Sequence, residues 1–265
     1  MMNKYFFVIR NTWEEVATYR FNFAMWRFRN VLQLLTVYYL WLVVTPVNGS
    51  IFGYSQSLIL TYVLGTAFLS SIVLATRTQE IGENINTGEL SKFLIRPFNY
   101  FGYWFARDVG DKASNIAFAI FELSFLYFIL KPSVFIQTDL ATWFFFGLAV
   151  GFAVVLNFLI GCLLGMVGFW SSDFWAPRFI FFNLVAFLSG GMFPLDIFPK
   201  AVVGFLQSLP FAYFLYFPIE IYLGKLSAEQ IFAGFLTALL WVVALLFITK
   251  IVWVKGLKLY SAQGN

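Results

Sequence analysis

Apolar residues gather into six long runs, near residues 31–47, 58–75, 113–130, 143–169, 179–192 and 231–254, each close to the length of a membrane-crossing helix. The fifth run is interrupted by Gly190, Gly191 and Pro194. Between the second and third runs lies the densest polar insert of the chain, from Arg77 to Pro97, which carries Arg77, Glu80, Glu83, Glu89, Lys92 and Arg96. Charges flanked so closely by apolar runs belong in water or against a polar partner, so the insert reads as a docking element.

The insert has an internal pattern. Ile81 and Ile85 stand four apart, on one face of a short amphipathic helix. Asn86, three residues before Glu89, has the spacing of a capping box for a second short helix, which Arg96-Pro97 must end. A bent helical hairpin follows, with a plain solvated loop as the alternative. Ahead of the first run, Phe6, Phe7, Trp13, Val16, Phe21, Phe23, Trp26 and Phe28 mix with basic residues, a pattern suited to a helix lying in the membrane interface over residues 1–30. Glu14 and Glu15 within that arm favour a protein contact. No small-residue cleavage pattern follows the first run, so no removable leader is expected.

Composition converts these runs into a fold class. A chain of 265 residues that is 61% hydrophobic and 11% charged holds more apolar surface than one soluble core can bury. The expectation is an all-α, polytopic integral membrane protein, one transmembrane domain over 1–265 with six helices. Lys4, Arg10, Arg20, Arg27 and Arg29, then Arg77, Lys92, Arg96, Arg107 and Lys112, then Arg178, Lys250, Lys255 and Lys258 fall on one side. Only Lys131, Lys200 and Lys225 fall opposite, so both termini and the 77–111 loop are expected in the cytoplasm. The net charge of +4 is a topology signal and implies no nucleic-acid partner.

Polar groups inside the runs are the candidates for a translocation path. Glu122 in the third run admits two readings, a site for a cationic substrate or helix glue bonded to Asn115, Asn157 or Asn183. Asp173 and Arg178 are placed to pair with each other. Gly147 with Gly151, and Gly161 with Gly165, permit close helix approach. After the broken fifth run, Pro199, Pro210 and Pro218 cut the segment 193–229 into short helices, read as an extracellular re-entrant hairpin hinged at Gly190, Gly191, Pro194 and Pro199 or as a surface hairpin.

Catalytic chemistry has little to work with. The chain has no histidine, and Cys162, its one cysteine, permits neither an internal disulfide nor a thiolate cluster. No Gly-x-x-x-x-Gly-Lys-Ser/Thr stretch is present to cradle nucleotide phosphates. Catalytic, metal and cofactor sites are therefore not expected in this chain, and ATP chemistry would need a partner.

Three segments resemble the type-2 ABC-transporter permeases. These are GENINTGELSKFLIRP at 82–97; SGGMFPLDIFP at 189–199 with LPF at 209–211 and Glu220; and the basic ending KGLKLYSAQG at 255–264, similar to the multidrug-type subgroup. The resemblance covers most of the chain. It implies the membrane half of an ATP-driven exporter in a bacterial cell membrane, with ATP and Mg bound by cytoplasmic ABC ATPase subunits. It further implies a second permease chain, identical or homologous, and a coupling surface formed by Glu80, Glu83, Asn86, Gly88, Glu89 and Arg96. An amphiphilic or hydrophobic cargo would fit. An ion-coupled secondary transporter and a membrane scaffold that docks a cytoplasmic partner are the alternatives.

Overall fold

The computed structural model describes residues 2–18, 20–173 and 175–260. Residues 261–264 of the tail motif lie outside that description. Along the chain run α1 (Met2–Thr18), α2 (Arg20–Val44), a two-residue antiparallel pair β1 (Ser50–Ile51) and β2 (Tyr54–Ser55), and α3 (Gln56–Val73). Two short helices, α4 (Gln79–Asn86) and α5 (Leu90–Leu94), precede α6 (Tyr100–Leu130) and α7 (Leu140–Met166). Then come α8 (Trp175–Leu188), α9 (Lys200–Ser208), α10 (Tyr216–Tyr222) and α11 (Ala228–Leu259). Helix accounts for 78% of the structure.

Among the described residues four helices are long and apolar enough to cross a membrane: α3, α6, α7 with its 3-10 extension to Phe169, and α11. Each starts on a short polar side chain that satisfies an otherwise orphan backbone N–H, namely Ser55, Asn99, Asp139 and Ser227. At Ser227 the reciprocal bond from Gln230 completes a capping box. α8 is apolar but only 14 residues long. α2 has the length but spends its first turns on Arg20, Arg27, Arg29 and Asn30.

Two boundaries differ from the sequence reading. α2 begins at Arg20, so the second half of the presumed interfacial arm is the start of that helix. α6 begins at Tyr100, well before the third apolar run, and its first half buries Asp108, Asp111, Lys112 and Asn115. Those groups fold inward because α2, the end of α3 and the loop before α4 supply partners for them, which hydropathy along one chain segment cannot show.

Close approaches at glycine set the packing. α1 lies against α6 where a Cβ on Gly110 would come 2.8 Å from the Ile9 carbonyl oxygen. α11 is fastened near both ends by a phenyl ring over a glycine: Phe217 on Gly234 and Phe169 on Gly256. A Cβ at Gly256 would sit 2.2 Å from the Phe169 ring, and that ring also meets Trp253 and Tyr260. The substitution Gly256→Ala should therefore push Phe169 out of its seat and cost about 1–3 kcal/mol, the usual cost of overpacking. Thermal unfolding of the purified protein in detergent checks this; a midpoint equal to wild type would refute the seating.

Candidate functional site

The polar insert folds as two short helices with a sharp break between them. α4 is amphipathic and buries Ile81, Gly82 and Ile85. Its seat is a stripe of glycines on α7. A Cβ on Gly161 would meet the Thr78 hydroxyl at 2.3 Å, and one on Gly165 would lie 2.8 Å from both the Thr78 carbonyl and Ile81 Cβ. A Cβ on Gly168, just beyond, would lie 3.1 Å from the Gly82 carbonyl. The small-residue spacing on α7 thus serves the insert, while Gly147 and Gly151 have nothing within 4 Å of an added Cβ.

The expected capping box is absent. Asn86 is the last residue of α4, too early to cap α5, which starts after Glu89 with no side-chain cap; the Asn86 amide N–H donates to the Ser172 carbonyl at 2.9 Å. The break is made by Gly88, whose φ of +76° suits glycine and lets the chain turn directly after α4. Tyr260, at the end of α11, clasps that turn. Its hydroxyl donates to the Gly88 carbonyl at 2.7 Å and accepts from the Ser91 N–H at 3.0 Å.

A ladder of charges ties the insert to the helices behind it. Arg107 pairs with Glu15 at 2.6 Å and with Glu80 at 3.2 Å, and Glu80 also reaches Arg77 at 3.3 Å. Arg77 continues to Asp111 at 2.8 Å, whose other carboxylate oxygen accepts from Asn115 at 3.1 Å. Asn115 in turn accepts from Arg27, and Arg27 grips Glu122 with both a 2.7 Å bond from Nε and a short contact from Nη2. Beside this ladder, Lys112 pairs with Asp108 at 3.1 Å and donates to the carbonyls of Val73 and Ala75, closing the C-terminal end of α3.

The residues singled out in the sequence therefore have distinct surroundings. Glu83, Glu89 and Arg96 are exposed; Glu89 pairs with Lys92 at 2.6 Å, and Arg96 lies over the Phe93 ring. Glu80 is held inside the ladder and does not share their open face. Glu122 has Arg27 as its partner, not Asn157 or Asn183. Asn157 caps α3 by donating to the Val73 carbonyl at 2.6 Å, and Asn183 bonds within its own helix to Phe179. Arg178 is buried against Gln79, while Asp173 caps the start of α8 through the N–H groups of Trp175 and Ala176. These two do not pair.

Sequence reasoning overlooked three features. Leu94 and Ile95 are exposed at the tip of the insert, Ile95 at 86%. Their signal was available, since Leu90 and Phe93 take the inner face of α5 and leave the next two residues outward. Arg27 was counted as interfacial although it stands one turn before the first apolar run. The third feature is a cavity of about 160 Å³ between α2, α3 and α8, walled by Arg29, Asn30, Gln33, Ser70, Phe182 and Met192 among others.

The opposite end of the bundle holds a second buried cluster. α8 stops at Leu188, and Gly190 turns the chain with φ +78° while its carbonyl accepts from Tyr62 at 2.6 Å. Gly191 leaves room for Leu215, Pro194 starts a 3-10 turn (Leu195–Ile197), and Pro199 starts α9. From that turn Asp196 meets Tyr54, Lys225 and, through them, Glu220 on the buried α10. The Tyr54 hydroxyl lies 2.8 Å from Asp196 and 2.7 Å from Glu220. One hydroxyl proton serves one carboxylate at a time, so both short contacts are hydrogen bonds together only when one of the two carboxyls carries a proton to give to the Tyr54 oxygen. Glu220 is the one enclosed, and burial pushes its carboxyl up to about 7 against the pull of Lys225 and the Tyr54 hydrogen bond.

Residues 31–264 match the family model described as ABC-2 family transporter protein. No curated protein matches the chain.

Two outcomes follow from this geometry. Gly165→Val should lift α4 from α7 and raise hydrogen exchange across residues 79–86, whereas Gly147→Val at an open position should leave it unchanged; equal exchange in both variants would refute the seat. At the other end, a carboxyl that holds its proton more tightly when folded favours the fold at low pH. Its contribution is complete below the ordinary carboxyl value of 4.5 and is lost as pH rises through about 7. Wild-type unfolding midpoints should fall over that window and Glu220→Gln should flatten the fall, which a pH series of thermal scans measures.

Proposed function

The chain belongs to the ABC-2 transporter family, and on that premise we propose that it is the permease subunit of an ATP-driven exporter. It moves an amphiphilic or hydrophobic compound out of the cell, using ATP and Mg bound by a separate ATPase. α2, α3, α6, α7, α8 and α11 are its six spans, with both termini and the insert in the cytoplasm. The segment 193–229 dips in from the outer side, and its short buried α10 with satisfied polar groups supports that reading. α8 buries only Arg178 and Val185 of its described side chains, which leaves a face for a second permease chain.

One observation carries the proposal: α4 is gripped on its inner side by α7 and α6, yet the insert presents Glu83, Glu89, Lys92, Ile95 and Arg96 outward. Exposed ion pairs with an ATPase contribute only about 0–1 kcal/mol each, so the apolar tip at Leu94 and Ile95 supplies the docking contact and the charges supply register. Stiffness behind the docking face matters more than affinity, because a helix that yields transmits no displacement. An ion-coupled transporter would need a carboxyl free to bind and release its ion, and Glu122 is engaged by Arg27.

The test is co-expression with an ABC ATPase, followed by reconstitution into vesicles. The combined variant Glu83→Gln, Glu89→Gln and Arg96→Gln should keep the wild-type unfolding midpoint while losing about 5- to 150-fold in ATP-dependent transport, the range of a typical coupling between sites. Unchanged transport and unchanged complex formation would sink the coupling assignment.

A further inference from the structure

The cavity between α2, α3 and α8 has a chemical polarity that the transport reading leaves open. Its polar end is built by α2. Trp26, Arg29, Asn30, Gln33 and Val37 follow one another at helical spacing along a single stripe of that helix, and all line the cavity. Among the described residues no hydrogen bond or ion pair engages the side chains of Arg29, Asn30 or Gln33. Across from them, α3 presents Thr66, Ser70 and Ser71, whose hydroxyl protons are already given to carbonyls of α3 itself. The free side-chain donors therefore all come from α2, and they include one guanidinium.

No carboxylate lines this cavity to balance that charge. Glu122 borders a smaller neighbouring cavity of about 30 Å³ together with Arg27, and it is taken by Arg27. A cation entering here would meet Arg29 with no counter-charge, whereas an anion would receive charge-assisted hydrogen bonds from Arg29 and the two amides. The other end is apolar, walled by Val37, Val63, Phe182, Ala186 and Leu215. At about 160 Å³ the cavity matches a space that holds one benzene-sized group, so it takes a head group's neighbourhood and a short length of hydrocarbon, with the remainder of a chain leaving between α2 and α8.

We propose that this cavity binds the anionic head and proximal chain of an amphiphile, with Arg29 as the charge-selecting residue and Asn30 and Gln33 as its hydrogen-bonding neighbours. The proposal rests on reading the cavity as the place where a transported compound is held. It turns the broad class of amphiphilic cargo into one sign of charge, opposite to the cationic compound that Glu122 suggested in the sequence.

The experiment uses the purified full chain in nanodiscs of zwitterionic lipid and three fluorescent probes of equal length: a dansyl-labelled undecanoic acid, its methyl ester and the corresponding dansyl alkyl amine. The acid should bind about tenfold tighter than the ester or the amine, as one charge-assisted contact allows. Arg29→Gln should erase that preference, Arg29→Lys should keep most of it, and Ala186→Trp, which fills the chamber, should weaken all three probes. Thermal unfolding of each variant guards against a folding defect. Equal binding of the three probes, tightest binding of the amine, or an intact preference in folded Arg29→Gln overturns the proposal. Competition by phosphatidylglycerol in the disc assigns the bilayer as the source of the ligand, and its absence assigns the aqueous phase. Because binding is read without an ATPase, its failure leaves the permease reading standing; intact binding with unaltered transport in the coupling variant does the reverse.

Discussion

The charges that α6 carries into the bundle have to be neutralised there: Asp108 and Lys112 pair within the helix, and the other partners come from five segments outside it. Glu122 takes Arg27 from α2, Asp111 takes Arg77 from the loop before α4, Arg107 takes Glu15 from α1 and Glu80 from α4, and Lys112 closes the end of α3. A charge left unpaired in such a setting costs several kcal/mol, so losing Arg27 would strand Glu122 and losing Arg77 would strand Asp111, while Arg107 and Lys112 each have a second partner. The positions of α1, α2, α3 and α4 are in this sense consequences of the polarity of one helix. The glycine stripe of α7 then supplies the flat wall against which α4 is pressed.

The broad plan was legible from hydropathy and small-residue spacing. Long apolar runs mark α3, α6, α7 and α11, and Ile81 with Ile85 marks the buried face of α4. What could not be read was pairing across elements. Arg27 and Glu122 are 95 positions apart, and Asn157 finds the Val73 carbonyl 84 positions away. Local reasoning matched Glu122 with neighbouring asparagines and Asp173 with Arg178 because those lay nearby in sequence or depth. The break inside the insert shows a related failure: Asn86 and Glu89 had capping-box spacing, but Asn86 is still part of α4 and α5 starts only after Glu89, so neither stands at its capping-box position.

The two ends of the molecule store different kinds of order. At the insert end, salt bridges partly open to water hold short helices against a glycine wall. At the hairpin end, Tyr54, Asp196, Glu220 and Lys225 share few protons within a tightly packed aromatic shell, so the arrangement depends on which oxygen carries hydrogen.

α11 joins these ends mechanically. Its 32 residues extend about 48 Å as one uninterrupted helix. Near its start Gly234 is locked under Phe217, next to the α10 that bears Glu220, and at its finish Tyr260 holds the turn between α4 and α5. A stiff rod pinned at both ends cannot shift at one without loading the other. A push on the Gly88 turn would therefore reach Phe217, on the far side of the bundle, as axial load.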